Sequence, residues 1–121
     1  MTMKVQDLIG TYQIKGHNQD QEKSSYSGTL TLSVDQHDRI IALWQIGDVQ
    51  TQKGYGFFKD HILVINFNYK SDDGELYKGV VVYRCLTKNV LEGFWSEDEG
   101  NPEFIGSEQA LRIKETDDLL N

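Results

Sequence analysis

Glu108 is the polar residue of this sequence whose position most favours a binding role. It occupies an alternate position between Gly106 and Ala110 on a predicted last strand. If that face points inward, the buried carboxylate needs a partner, and Tyr26 or Arg84 would serve. A one-residue bulge would instead turn Glu108 outward, because the apolar residues that follow it fall on the other parity. The pattern leaves both placements open.

Aromatic side chains are predicted to share an interior with this carboxylate. A plain hydrophobic core explains them, and so does a ligand cavity, because ligand pockets are mostly apolar with a few polar groups. An interior cavity above about 300 Å³ would favour the ligand. The candidate ligand-binding residues are Tyr26, Trp44, Phe67, Trp95 and Glu108.

The sequence shows no residue combination typical of catalysis or of metal binding. The histidines, His17, His37 and His61, have no metal-ligand spacing and no cysteine partner. The acidic segment 72–75 lacks the ligand spacing of a calcium loop and is explained by a hairpin turn. No motif pairs a nucleophile with a base. The sequence therefore favours a non-enzymatic role and predicts no catalytic residue, metal or cofactor.

The elements that must position these residues alternate with period two. In the segment 25–34, apolar residues and glycine alternate with Ser and Thr, which is typical of a half-buried strand. Similar runs recur about every dozen residues, separated by short segments rich in turn residues. The predicted strands are 10–17, 25–34, 39–47, 49–58, 61–69, 76–85, 90–96 and 104–114.

Eight hairpin-connected strands with no crossover helix predict an all-β fold, an antiparallel up-and-down meander closed into a barrel. Closure removes both sheet edges, and a barrel of this size holds its own side chains or one small ligand. We predict a single barrel domain over 1–114 and a flexible C-terminal tail over 115–121.

The segment Asp7-Leu8-Ile9-Gly10-Thr11-Tyr12 resembles the opening of the calycins, the superfamily of lipocalins, fatty-acid-binding proteins and avidins. Calycins begin with a short helical turn and a Gly-x-Trp on the first strand, and a basic residue of the last strand lies across that ring. Here Tyr12 replaces the Trp, and Arg112 is the candidate partner. The resemblance implies that this pair closes one end of the barrel, with a cation–π contribution of about 0.5–2 kcal/mol.

Shorter segments resemble a group of uncharacterised bacterial calycin-like proteins. The gap 17–24 is too short for the helical pair of fatty-acid-binding proteins, and the biotin-binding residues of avidins cannot be mapped. The resemblance therefore implies the fold more than a function. The matching segments are 26–30, Trp44, 54–56, 63–64, 79–83, 91–95 and 106–108.

Charge and cysteine content restrict the partners and the compartment. The net charge is −7, and Lys and Arg are scattered, which disfavours nucleic acids and anionic membranes as partners. One cysteine permits no internal disulfide, and the N-terminus lacks the pattern of a signal peptide. We expect a cytoplasmic protein.

Four adjacent strands carry apolar residues on both faces, although a barrel hides only one face of each strand. The surplus predicts a contiguous exposed apolar patch on the third to sixth strands, and hence a homo-oligomer. The predicted interface residues are Ile41, Leu43, Tyr55, Phe57, Ile62 and Val64.

These observations favour a barrel that binds a small apolar or amphipathic ligand in its interior. The alternative is a protein-interaction or assembly module with a fully packed core and no ligand. The sequence names no ligand.

Overall fold

Eight antiparallel strands close into a barrel in the computed structural model, which describes residues 2–48 and 50–113. Each strand pairs with its neighbours in sequence, and β8 pairs with β1 to complete the barrel. A short 3₁₀-helix, Val5–Leu8, precedes the first strand. The strands are β1 (Gly10–His17), β2 (Ser25–Val34), β3 (Ile40–Ile46), β4 (Gln50–Lys59), β5 (Ile62–Lys70), β6 (Leu76–Thr87), β7 (Val90–Glu97) and β8 (Gly106–Arg112).

The predicted fold class is confirmed: the barrel is all-β, antiparallel and up-and-down, with a helical turn near the N-terminus. Strand ends differ from the sequence-based ranges by at most two residues. The largest differences are at β8, where Phe104 and Ile105 belong to the preceding loop, and at the end of β6. The predicted flexible tail, 115–121, lies outside the described residues.

One end of the barrel is filled and tied to the 3₁₀-helix. The Arg112 guanidinium lies 4.8 Å from the centroid of the Tyr12 ring, and its Nη2 donates a 2.8 Å hydrogen bond to the Tyr12 hydroxyl. That hydroxyl donates in turn to the carbonyl of Leu8, at 2.8 Å. Burial raises the pKa of Tyr12 to about 12, against the opposing charge of Arg112.

Aliphatic side chains from several strands fill the space next to this closed end. Their burial is complete, so this part of the interior is closed to solvent. The fully buried aliphatic residues include Leu8, Ile14, Leu30, Ile40, Leu63, Ile65 and Leu91.

The outer wall carries large apolar side chains on β3 to β7. Tyr55 is 61% exposed and Phe57 is 60% exposed. Phe57 begins a row of directly paired residues that crosses four strands to Phe94, which is 57% exposed. Leu43 and Ile62 are also exposed, whereas Ile41 and Val64 are half-buried. The six residues predicted for an interface thus all point outward, and Phe94 extends their surface beyond the predicted strands.

No helix among the described residues is long and apolar enough to cross a membrane.

Candidate functional site

The half of the barrel away from the 3₁₀-helix contains a cavity of about 190 Å³. All five candidate ligand-binding residues line it, although they come from five different strands. The interior is therefore not fully packed, and its free volume is below the 300 Å³ that the sequence analysis set for a small-molecule pocket. The complete lining is Asn18, Tyr26, Trp44, Ile46, Gln50, Gln52, Phe67, Tyr69, Val81, Tyr83, Trp95, Glu97 and Glu108.

Glu108 points into the barrel and is 6% exposed. The pairing of β8 with β1 and with β7 is continuous through this position, so the bulge that would turn the side chain outward does not occur. Leu111 takes the outward position instead and is 45% exposed. Arg84, the alternative partner, is exposed on the outer face of β6. The structure selects Tyr26 of the two candidate partners.

Three donors converge on the Glu108 carboxylate. The Tyr26 hydroxyl donates to Oε1 at 2.8 Å, and the Tyr83 hydroxyl donates to Oε2. The Trp44 indole Nε1 lies 3.3 Å from Oε2 and also 3.3 Å from the Tyr83 hydroxyl. Trp95 acts on Glu108 indirectly. Its Nε1 donates to the Tyr26 hydroxyl at 3.0 Å.

The chemistry of indole fixes the direction of this network. An indole N–H donates and does not accept, so the Tyr26 hydroxyl accepts from Trp95. Its own proton then goes to Glu108 Oε1 at 2.8 Å, which is closer than the Ser107 carbonyl at 3.3 Å. Trp44 orients the Tyr83 hydroxyl in the same way. Glu108 is thus the common acceptor of the network, which suits an ionised carboxylate.

Burial shifts the pKa values of Glu108, Tyr26 and Tyr83. It raises the pKa of Glu108 above the usual 4.5, and the hydrogen bonds from Tyr83, Tyr26 and Trp44 oppose this rise. Burial and the neighbouring Glu108 both raise the pKa of Tyr26 and of Tyr83. The two phenols therefore keep their protons at neutral pH and act as hydrogen-bond donors.

The aromatic rings pack edge to face around the cavity. The Phe67 ring lies between the two tryptophans, with centroid distances of 6.1 Å to Trp44 and 6.1 Å to Trp95. Tyr26 meets Trp95 at 6.4 Å with an interplanar angle of 60°. Such pairs are favourable beyond their buried area because the edge of one ring is positive and the face of the other is negative.

Each of four rings in the site lies over a glycine that is its direct partner on the neighbouring strand. A methyl group built on any of these glycines would collide with the ring, so the aromatic side chain occupies the space that the glycine leaves. One strand alone does not show which ring lies over which glycine, because each pair depends on the register between two strands. The pairs are Gly16 with Tyr26, Gly79 with Phe67, Gly93 with Tyr83, and Gly106 with Trp95.

Tyr83 is the most important site residue that sequence reasoning missed. It is fully buried and donates directly to Glu108. The run Val80 to Tyr83 is apolar on both parities, so the sequence did not show which residues face inward. The structure turns Val81 and Tyr83 inward, whereas Val80 is 37% exposed.

Polar side chains form the more exposed side of the cavity. The Tyr69 hydroxyl donates to the Glu97 carboxylate, and the Tyr69 ring stacks on Tyr77 at 5.4 Å. Gln19 stabilises this side by two hydrogen bonds. Its Nε2 donates to the Ser96 hydroxyl at 2.9 Å, and its Oε1 accepts from the backbone N–H of Glu97 at 2.9 Å. Glu97 is a further site residue that the sequence did not reveal.

The cavity offers groups that bind a ligand by hydrogen bonds and by aromatic contact. The thiol of Cys85 is buried, and burial raises its pKa to about 11, so it is neutral at physiological pH. His17, His37 and His61 are exposed. Over residues 2–48 and 50–113, no group of three or more His, Cys, Asp or Glu side chains is placed to hold a metal ion. Aromatic rings, phenol and indole groups, side-chain amides and the carboxylates of Glu97 and Glu108 line the cavity.

The fold is similar to those of solved β-barrels of low sequence identity. A redesigned beta barrel, b11L5F_LGL, matches with a TM-score of 0.69 and 15% identity, over 94% of this chain and 98% of that chain. A second redesigned barrel, mFAP1 bound to DFHBI, matches with a TM-score of 0.63 and 19% identity, over 93% of this chain and 100% of that chain.

A protein of unknown function from the DUF3598 family of Nostoc punctiforme also matches, with a TM-score of 0.56 and 13% identity. The match covers 92% of this chain and 49% of that chain. No family model and no curated protein sequence matches this chain. At these identities the similarity shows the fold and not the function.

Proposed function

We propose that this protein binds a small apolar or amphipathic molecule inside its barrel. The observation that carries the proposal is the cavity of about 190 Å³ that aromatic rings and the buried Glu108 line together. A core built for stability alone would not bury a carboxylate next to unfilled space, because both are costly.

The size of the cavity limits the ligand to about one ring. An apolar cavity of about 150 Å³ in another protein holds benzene. Drug-sized ligands occupy pockets of about 300–1,000 Å³, which are larger than this one. The redesigned barrel bound to DFHBI supports the proposal, because it shows that this fold can hold a small molecule. The calycin-like opening segment agrees with it, since that superfamily contains ligand-binding barrels.

Intrinsic fluorescence offers a direct test, because both tryptophans of the chain, Trp44 and Trp95, line the cavity. Titration with single-ring compounds should change the emission saturably. Val81→Phe fills the cavity and should abolish the change, whereas Val82→Phe adds the same ring to the outer face of β6 and should preserve it. If Val81→Phe does not fold, Ile46→Phe fills the more exposed side instead.

Native mass spectrometry of the protein purified from its host provides a second test. A co-purified small molecule should add a discrete mass that Val81→Phe lacks. The proposal fails if the protein carries no added mass and no single-ring compound changes its emission saturably.

A second candidate function is assembly through the outer wall, with a second copy of this chain as the partner. The row from Phe57 to Phe94 favours it, because four paired strands present apolar side chains to solvent. This alternative assumes a fully packed core, and the cavity of about 190 Å³ is smaller than the volume of about 300 Å³ that would favour a ligand over it. Assembly and ligand binding use opposite faces of the sheet, so the two functions are compatible.

A further inference from the structure

The charged side chains that line the cavity are both carboxylates. Glu108 lies on its buried side and Glu97 on its more exposed side. The described lining contains no Lys, Arg or His, and the whole chain carries a net charge of −7. An anionic ligand would therefore meet repulsion at both sides of the cavity, whereas a cation would meet attraction.

Glu108 keeps acceptor capacity for a ligand. A carboxylate offers about four acceptor positions, and three donors of the described residues use them: Tyr26 at Oε1, and Tyr83 and Trp44 at Oε2. These donors are neutral, so they orient the carboxylate without cancelling its charge. Because Glu108 lines the cavity, an N–H group of a ligand placed there can donate to the remaining position at Oε1.

The aromatic lining favours positive charge as well. Rings attract a cation over their faces, and tryptophan does so most strongly. Trp44, Phe67 and Trp95 line the same cavity as Glu108. A cation in the cavity would therefore gain from the rings and from the carboxylate at once, and a neutral ligand would gain mainly from contact with the rings.

We propose that the ligand of this cavity is a small organic cation, an amine or ammonium compound with at most one ring, whose charge faces Glu108. This inference rests on the proposed binding function and names the class of its ligand. The carboxylates and rings select a cation over neutral or anionic ligands, and the small volume of the cavity selects against larger cations.

Three single-ring probes of similar size separate this inference from binding in general: benzylammonium, benzyl alcohol and benzoate, titrated at neutral pH with tryptophan emission as the readout. Benzylammonium should bind at least about tenfold more tightly than benzyl alcohol, the factor expected of one charge-assisted hydrogen bond. Benzoate should bind most weakly. If benzyl alcohol or benzoate binds as tightly as benzylammonium, the cation inference is wrong and the binding function stands. If none of the three binds, the binding function for single-ring ligands fails, and the inference fails with it.

Two matched variants locate the charge that selects the ligand. Glu108→Gln preserves the size of the side chain and should weaken benzylammonium binding at least about tenfold, with little effect on benzyl alcohol. Glu92→Gln makes the same charge change on the exposed outer face of β7 and should alter neither affinity. Equal losses in the two variants would show that net charge attracts the cation, which contradicts contact with Glu108.

If Glu108→Gln does not fold, the affinities for benzylammonium and benzyl alcohol are measured with Glu97→Gln instead. It removes the other carboxylate of the lining, so it should weaken benzylammonium binding and leave benzyl alcohol binding unchanged. If Glu97→Gln weakens the binding of benzyl alcohol as much as that of benzylammonium, the carboxylates do not select the cation and the inference is overturned.

Discussion

The indole of Trp95 and the hydroxyl of Tyr26 form a hydrogen bond that has only one possible direction. The Trp95 Nε1 donates to the Tyr26 oxygen at 3.0 Å, and indole cannot accept in return. Tyr26 must therefore direct its own proton elsewhere, and Glu108 Oε1 lies 2.8 Å away. Trp95 thus orients a donor on Glu108 although it does not contact the carboxylate by a hydrogen bond of its own.

Tyr26→Phe should destabilise the protein, because it leaves the Trp95 indole N–H and the Glu108 Oε1 without their shared partner. We expect a loss of about 1–3 kcal/mol in the free energy of unfolding, measured by urea denaturation. Tyr55→Phe is the matched control on the outer wall, where Tyr55 is 61% exposed, and should change stability by less than about 0.5 kcal/mol. Equal effects in the two variants would contradict the role of the Tyr26 hydroxyl.

Gly106→Ala should disturb the site without changing any residue that lines it. The added methyl group collides with the Trp95 indole, so the ring must move. We expect a changed tryptophan emission and weaker binding of any ligand that the wild type binds. Ser107→Ala alters the next residue, on the exposed face, and should preserve both. An unchanged emission spectrum in Gly106→Ala would show that the ring does not depend on the glycine.

Glu108 should make the ligand-free protein less stable as the pH rises. Its pKa is raised in the folded state, so the folded protein binds this proton more tightly than the unfolded chain does. Stability is therefore lost from the unfolded value near 4.5 upward, until the pH passes the folded pKa. Asp20, Asp35 and Asp73 have lowered pKa values, so the stability that they contribute is lost in the opposite direction, as the pH falls below about 4.

The difference in unfolding free energy between the wild type and Glu108→Gln isolates this effect, because the aspartates are common to both proteins. Relative to the variant, the wild type should lose stability as the pH rises above about 4.5, the usual pKa of a glutamate. A difference that does not vary with pH would mean that the pKa of Glu108 is not raised by folding.

Tyr12→Ala should cost about 3 kcal/mol, as for other buried aromatic residues, because the closed end loses a fully buried ring under Arg112. Tyr12→Phe keeps the ring but loses the hydroxyl bonds to Leu8 and Arg112, and should cost about 1–2 kcal/mol. Denaturation midpoints rank the two variants. An unchanged midpoint for Tyr12→Ala would rule out a structural role for this ring.

The homo-oligomer inferred from the sequence stays a prediction, and the exposed apolar residues on β3 to β6 are where it would form. Sedimentation at micromolar concentration should give a mass above that of one chain. Leu43→Glu places a charge among the exposed apolar residues and should dissociate the oligomer while the barrel stays folded. Gln109→Glu adds the same charge on the outer face of β8 and should preserve the assembly. A monomeric mass for the wild type would contradict the prediction.

The all-β architecture could be read from the sequence because it depends on local alternation. Residues such as Leu30 and Leu32 alternate with Thr and Ser, and a strand places alternate residues on opposite faces whatever its partners are. The same alternation placed Trp44, Phe67 and Trp95 inside, together with Glu108 on one of its two possible faces. Strand number, strand order and the inward positions of Trp44, Phe67 and Trp95 therefore followed from short-range patterns alone.

The tertiary structure decided what depends on the neighbouring strand. Alternation did not orient Glu108 or Tyr83, because each lies in or beside a run with apolar residues on both parities. Only the continuous pairing of β8 with β1 and β7 places the Glu108 side chain inside the barrel. The placement of Gly106 under Trp95 likewise needs the register between two strands. The alternation along one strand shows which residues share a face. The cavity volume and the hydrogen-bond partners arise only when the barrel closes and brings the inner faces of different strands together. The free volume beside Glu108 is therefore a property of the closed barrel and of no single strand.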